Sequence, residues 1–244
     1  MVGNPGTVTV VIPTFEERES IERVIRGVLD HGYRAVVVDD GSADGTGDIV
    51  EKLGEAFDGV TLIQRGSKQG LGSAYAAGFR AAVAAGAAIV VQMDADLSHD
   101  PARLPDLVGA VETGADLAVG SRFVAGGAIV HWSRLRRFLS RSGNWYARHG
   151  MRLPVHDATS GFKAFRSEGL DTIDAASCRS NGYAFQIEMT WRAHHHGLRI
   201  TEIPIRFVER EAGNSKLTGR IVAEAMWLVT RWSVATRLRR DPAI

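Results

Sequence analysis

Along the first half of the chain, short apolar runs alternate with stretches in which apolar side chains return every three or four positions. Residues 8–12 form a near-continuous apolar run that stops at Pro13, the pattern of a buried strand. Residues 17–29 follow a helical period, with Ile21, Val24, Ile25 and Val28 on one stripe. Further strands are predicted at 35–40, 60–64, 88–94 and 117–120, with helices at 44–57, 70–85 and 101–113 between them. Pro101 suits a first helical turn, and Ser98 or Asp100 is its candidate cap. This rhythm predicts right-handed crossovers and a mostly parallel central sheet flanked by helices, an α/β fold.

The second half is less regular. Helices are predicted at 132–149, 185–196 and 219–240, and strands at 161–166 and 200–208. Pro204 would place the last strand at an edge or kink it. A soft boundary falls at Gly126-Gly127. It divides one domain, 1–244, into a nucleotide-binding half (1–126), an acceptor half (127–217) and a C-terminal amphipathic helix (218–244).

Of 244 residues, 45% are hydrophobic and 23% charged, which excludes intrinsic disorder. One cysteine, Cys178, rules out an internal disulfide and fits a reducing, cytoplasmic setting. No signal-peptide pattern opens the sequence. The most apolar stretch, 221–236, contains Glu224 and Arg231 and is shorter than the roughly 20 residues a spanning helix needs. The net charge of +1 hides an asymmetry: residues 121–244 carry 20 Lys+Arg against 10 Asp+Glu, and residues 1–120 carry 9 against 18. The basic half favours anionic partners and the acidic half favours a metal.

In open parallel sheets, ligands bind beyond the carboxyl ends of the strands. Three such ends here carry acids: Pro13-Thr-Phe-Glu-Glu, Asp39-Asp40-Gly-Ser and Asp94-Ala95-Asp96. Two carboxylates flanking a small residue suit Mg²⁺ or Mn²⁺, hard cations that share their shell with substrate phosphates; the other reading is a helix-entry acid with a cap. Asp39-Asp40 reads equally as a turn or as acceptors for a nucleobase or ribose. The glycines of 70–78 match neither a dinucleotide fingerprint nor a P-loop, which disfavours those enzymes and suits close helix–sheet packing. His194-His-His196 reads as a solvated helix end, because consecutive helical residues face different directions.

Eight segments in order give these fragments a common meaning. They are Val-Ile-Pro-Thr-Phe-Glu-Glu (11–17), Val-Asp-Asp-Gly-Ser (38–42), Gly-Leu-Gly-Ser-Ala-Tyr (70–75), Met-Asp-Ala-Asp-Leu-Ser-His (93–99), Gly-Ser-Arg (120–122), Asp157-Ala-Thr-Ser-Gly-Phe, Gly182-Tyr-Ala-Phe-Gln-Ile-Glu and residues 203–217. Together they resemble the family-two glycosyltransferases of the GT-A fold, and most closely the dolichol- or polyprenol-phosphate mannose synthases. The resemblance implies inverting transfer of mannose from GDP-mannose to a polyprenyl monophosphate. It implies a pocket for base and ribose at Pro13, Phe15, Glu17, Val38 and Asp40, and metal and diphosphate contacts at Asp94, Ala95 and Asp96. It implies phosphate-binding cations at Arg122, Arg210 and Lys216. Asp96 and these three cations are the expected catalytic groups. Phe15 stands where many relatives have Tyr, and Ser98 where some have a metal-ligating Gln. Asp157 and Glu188 are candidate acceptor-side carboxylates with an equally good structural reading.

A lipid acceptor calls for a membrane handle. On residues 132–149, Arg134, Arg137, Arg141 and Arg148 fall on one face, and Trp132, Leu135, Leu139 and Tyr146, flanked by Phe138 and Trp145, on the other. The expected partners are thus GDP-mannose, a polyprenyl phosphate and the cytoplasmic surface of a membrane, with recruitment by a separate membrane protein left open and no nucleic acid. Two alternatives stay open: the same fold using UDP-glucose or a saccharide acceptor, and a non-catalytic nucleotide-binding or scaffolding module.

Overall fold

The computed structural model describes residues 7–178, 180, 182–208 and 226–234. Strand β1 (Val8–Thr14) lies between β2 (Arg34–Asp39) and β4 (Ile89–Gln92), parallel to both, and β3 (Val60–Gln64) adds to the far side of β2. Although 8–12 is nearly all apolar, its side chains still alternate. Val8, Val10 and Ile12 enter one core layer, and Val11 enters the other.

Helices α1 (Ile21–Leu29) and α2 (Thr46–Ala56) follow β1 and β2, α3 (Leu71–Ala84) follows β3, and α4 (Leu104–Glu112) follows β4. The stripe Ile21, Val24, Ile25 and Val28 is fully buried, as its period requires. A 3-10 turn, Pro101–Arg103, leads into α4, and Asp100 caps it by accepting the Ala102 N–H at 2.9 Å.

Beyond β4 the sheet continues with β7 (Lys163–Arg166), β5 (Leu117–Ser121) and β8 (Ile200–Pro204), giving the order β3-β2-β1-β4-β7-β5-β8. Strand β7 alone runs antiparallel to its neighbours, so the sheet is mostly parallel. The predicted strand 200–208 breaks at Pro204: β8 stays at the edge of the main sheet, and β9 (Arg206–Val208) pairs with β6 (Ala128–Val130) in a small second sheet. Neither β6 nor α6 (Ser167–Thr172) is marked in the sequence, both being too short to show a period.

Helices α5 (Arg134–Met151) and α7 (Gly182–His195) pack with the helical residues 226–234. Ala147, Met151, Ile187, Trp191, Val229 and Trp232 share a third core, in which the Trp191 and Trp232 rings stack 5.8 Å apart. The predicted helix 219–240 therefore docks on the body through Val229 and Trp232; the rest of its range lies outside the described residues.

Helix α3 needs its small residues for contact. A Cβ on Gly78 would overlap Val11 Cγ1 and lie 3.2 Å from Val38 Cγ2. Gly78→Ala gains about 1 kcal/mol of helix propensity but overpacks by up to about 3 kcal/mol. Chemical denaturation should show a net loss of about 2 kcal/mol; equal or higher stability would contradict this packing.

Candidate active site

The carboxyl ends of β1, β2 and β4 open onto one cleft of about 300 Å³. At one end stand Pro13, Phe15, Glu17, Asp40 and Lys68; at the centre, Asp94, Ala95 and Asp96; at the other end, Thr159, Gly161, Tyr183, Gln186 and Arg136. The strand order dictates this sequence, because β2, β1, β4 and β7 lie side by side.

At the first end the two adjacent aspartates part roles. Asp39 is buried and closes its turn, accepting from the Thr14 hydroxyl (3.1 Å), the Ser42 hydroxyl (2.6 Å) and the Ser42 N–H (3.0 Å). Asp40 reaches the cleft, where Arg65 Nε donates to it at 2.6 Å. Arg65 also donates to Ser73 Oγ at 2.8 Å, so it ties the β2 end to α3. The Lys68 ammonium sits 4.0 Å from the centre of the Phe15 ring. Val38 is not in the lining: it is fully buried in the core beneath α3.

At the centre, the Tyr75 hydroxyl donates to Asp94 Oδ1 at 3.3 Å. Burial, and then Asp94, push the Tyr75 phenol well above its ordinary pKa, so it stays a donor. His99 Nδ1 accepts the Asp94 N–H at 3.3 Å, with its ring stacked on Phe162. Burial lowers the His99 pKa against the pull of Asp94 and Asp96, consistent with a neutral ring whose Nδ1 accepts. Gly161 lies close under the Asp94 carboxylate: a Cβ there would stand 3.1 Å from Asp94 Oδ2 and would push it aside by a few tenths of an ångström. The turn contains Leu97 in the left-handed region, φ 61°, strain that the surrounding contacts sustain.

These residues fit a hard divalent cation. The Asp94 side chain is 37% exposed toward the cleft, and Asp96 lines it beside Asp94. In the same turn the Ser98 Oγ is buried without a hydrogen-bond partner. Two carboxylates leave room for phosphate and water oxygens in the shell. No cluster of three or more His, Cys, Asp or Glu forms among the described residues.

Arg122 is not in the cleft lining. Its guanidinium is buried in a bidentate pair with Asp157 (2.7 and 2.6 Å) and donates to Thr159 Oγ1 at 2.8 Å. Burial opposes this charge, but Asp157 outweighs it and holds the pKa raised. Asn144 on α5 donates to the same Thr159 hydroxyl at 2.9 Å and accepts the Thr159 N–H. Arg122 thus supports the cleft wall through Thr159. Asp157 is consumed by this pair, and Glu188 by a buried pair with Arg192 at 2.7 Å on α7. Arg210 and Lys216 lie outside the described residues.

Sequence reasoning assigned no role to Tyr75, His99, Thr159, Tyr183 or Gln186, although all lie inside the segments that carried the resemblance. Arg65, Lys68 and Arg136 had no such signal. Among the described residues, Lys68 and Arg136 are the cations of the lining.

The description "Glycosyl transferase family 2" matches residues 9–174. The chain belongs to glycosyl transferase family 2. It is 45% identical over 235 residues to the polyprenol monophosphomannose synthase of Mycolicibacterium smegmatis, covering 95% of this chain and 88% of the relative. It is 44% identical over 232 residues to the undecaprenyl-phosphate mannosyltransferase of Micrococcus luteus, covering 94% and 95%. Among solved structures, the mannosyltransferase PcManGT from Pyrobaculum calidifontis in complex with GDP-Man and Mn²⁺ superposes with a TM-score of 0.57 at 19% identity, covering 97% of this chain and 74% of that one. That likeness is one of fold, and the fold is GT-A. The protein is a glycosyltransferase.

Breaking a buried ion pair strands a charge, so Asp157→Ala should cost about 3–5 kcal/mol of unfolding free energy. The double variant Arg122→Met with Asp157→Leu should recover most of that loss. A single-variant cost below about 1 kcal/mol would show that the pair is not buried as described.

Proposed function

We propose that this family 2 glycosyltransferase moves mannose from GDP-mannose to a polyprenyl monophosphate, inverting the anomeric carbon. One observation carries the reading. The cleft runs from an aromatic and acidic end, through Asp94 and Asp96, to Arg136 on a helix that also exposes Leu135, Phe138, Leu139 and Trp145. A nucleotide, a diphosphate and a lipid phosphate need these three environments in this order. The names of the two relatives at 44–45% identity agree with it.

In this reading Phe15 offers a stacking face, Glu17 and Asp40 accept from base or ribose, and Asp94 and Asp96 hold Mg²⁺ or Mn²⁺. When bound, the cation neutralises charge on the departing diphosphate. The nucleophile is a phosphate monoester with a second ionisation near about pH 6, so it arrives as an anion and needs no strong base. The protein's task is to position it and offset its charge, which Arg136 does from the described residues. Arg210 and Lys216 are assigned the same duty by resemblance alone.

A saccharide hydroxyl would need a general base. Asp157 and Glu188 are both held in buried ion pairs, which favours the phosphate acceptor over the saccharide alternative.

The reading extends to peripheral membrane association. No helix of the described residues is long and apolar enough to cross a membrane. Helix α5 buries Asn144, Ala147 and Met151 and leaves its apolar stripe outward, with Leu135 67%, Phe138 66% and Trp145 62% exposed, beside exposed Arg134, Arg137 and Arg141. Trp132 does not join that stripe. It is buried against Phe207 and lies under Arg136.

With Mg²⁺ or Mn²⁺ and a short polyprenyl phosphate, GDP-mannose should give a mannosyl lipid and UDP-glucose should not. Asp96→Ala should reduce the rate by about 100-fold or more. Transfer from UDP-glucose with GDP-mannose inert would overturn the donor assignment, and full activity of Asp96→Ala would overturn the site. In vesicle flotation at low salt, the protein should float with anionic vesicles, and Phe138→Ser with Trp145→Ser should float several-fold less. Equal flotation of the variant would remove α5 from the membrane contact.

A further inference from the structure

Beneath the far end of the cleft lies a buried lysine that the reaction above does not use. Lys163 on β7 is fully buried. Its Nζ donates to the Gln186 backbone oxygen at 2.6 Å, to the Gln186 side-chain oxygen Oε1 at 3.2 Å and to the Ala158 oxygen at 3.5 Å. Gln92, directly opposite Lys163 in the β4–β7 register, carries a buried amide with no partner in the protein, so the ground under the cleft is polar rather than packed apolar. Burial lowers the Lys163 pKa to about 7. A neutral amine would have two N–H groups for these three acceptors, so the full set of contacts belongs to the ammonium.

Gln186 is nearly buried on α7, yet it lines the cleft. Its amide has two chemically opposite ends. An ammonium only donates, so the end that Lys163 holds is the oxygen. The Nε2 donor end then remains for the cleft. The base end lies at β1 and β2 and the carboxylates at β4, so Gln186 lies beyond the diphosphate, where a donor sugar and the acceptor phosphate would meet.

We infer that Lys163 is a positioning residue that fixes the Gln186 amide with its N–H₂ toward the sugar of a bound nucleotide sugar, making Gln186 a donor to a sugar hydroxyl. This rests on a nucleotide sugar occupying the cleft, as proposed above. A hydroxyl both donates and accepts, so a fixed donor selects its orientation. An amide free to flip would accept both orientations and lose discrimination.

The test compares binding of GDP-mannose with binding of GDP, both with Mg²⁺, for wild type, Gln186→Leu, Lys163→Met, Lys163→Arg and the Lys163→Met/Gln186→Leu pair. Gln186→Leu and Lys163→Met should each lower GDP-mannose affinity about 5- to 10-fold, the size of one hydrogen bond, and leave GDP affinity unchanged. Lys163→Arg should restore most of the loss, and the double variant should bind no worse than Gln186→Leu. Equal loss for GDP and GDP-mannose, or multiplying losses in the double variant, would overturn the inference.

A second measurement needs no foldable lysine variant. The Gln186 Nε2 proton signals of the wild-type protein, assigned by their absence in Gln186→Leu, should shift with GDP-mannose and stay in place with GDP. A shift with GDP alone, or no shift with either, would overturn the inference. If wild type binds a different nucleotide sugar, the same shift with that donor supports the role of Lys163 while the mannose assignment fails.

Discussion

The structure depends on holding acids together at one edge of a sheet without leaving their charge unanswered. Asp39 ends β2 and Asp40 follows it, while Asp94 and Asp96 follow β4, with only β1 between the two strands. Like charges this close repel, and desolvation adds to the cost. Each is answered by a specific donor: Asp39 by Thr14 and Ser42, Asp40 by Arg65, Asp94 by Tyr75 and Asp96 by the Ser98 N–H. These donors come from β1, from the segments after β2, β3 and β4, and from α3, so the packing of α3 on β1 and β2 also holds the site. Gly78 is small because the Val11 and Val38 side chains press against α3 there, and the Asp94 carboxylate approaches Gly161 closely.

The same logic explains the opposed charges of the two halves. The acidic half supplies the strand ends around the centre of the cleft, and the basic half supplies Arg136 and the outer face of α5. The two faces of α5 do different jobs. Its inner face reaches the cleft through Arg136 and Asn144, the latter bonded to Thr159, while its outer face stays apolar and basic. In the proposed reaction a lipid on the outer face delivers its phosphate to the inner one within a few residues of a single helix.

Much of the fold was legible because its strands are buried on both faces and its helices present one stripe. The run 8–12 and the stripe of α1 could hardly be read otherwise. The break at Pro204 was legible as a kink, but the switch of β9 to a second sheet was not, because β6 is only three residues long. At the site, Asp94 and Asp96 were legible from their place after an apolar run. Arg122 was assigned to phosphate on motif alone, and its burial with Asp157 across 35 residues leaves no local trace in sequence. Lys68 and Arg136 reach the cleft from a loop and from a helix already credited with a different face. Trp132 looked interfacial because a helical wheel continues past the helix start; Ser133 caps α5, so Trp132 lies before it.

The most direct test of the account is calorimetric titration of GDP-mannose into the wild-type protein and into Asp94→Asn and Asp96→Asn, each with Mn²⁺ and with a chelator. The account predicts binding to wild type that needs the metal and is lost in both variants, with their unfolding transitions intact. Equal binding with chelator present, or undiminished binding by both variants, would contradict the assignment of Asp94 and Asp96 as the centre of the site.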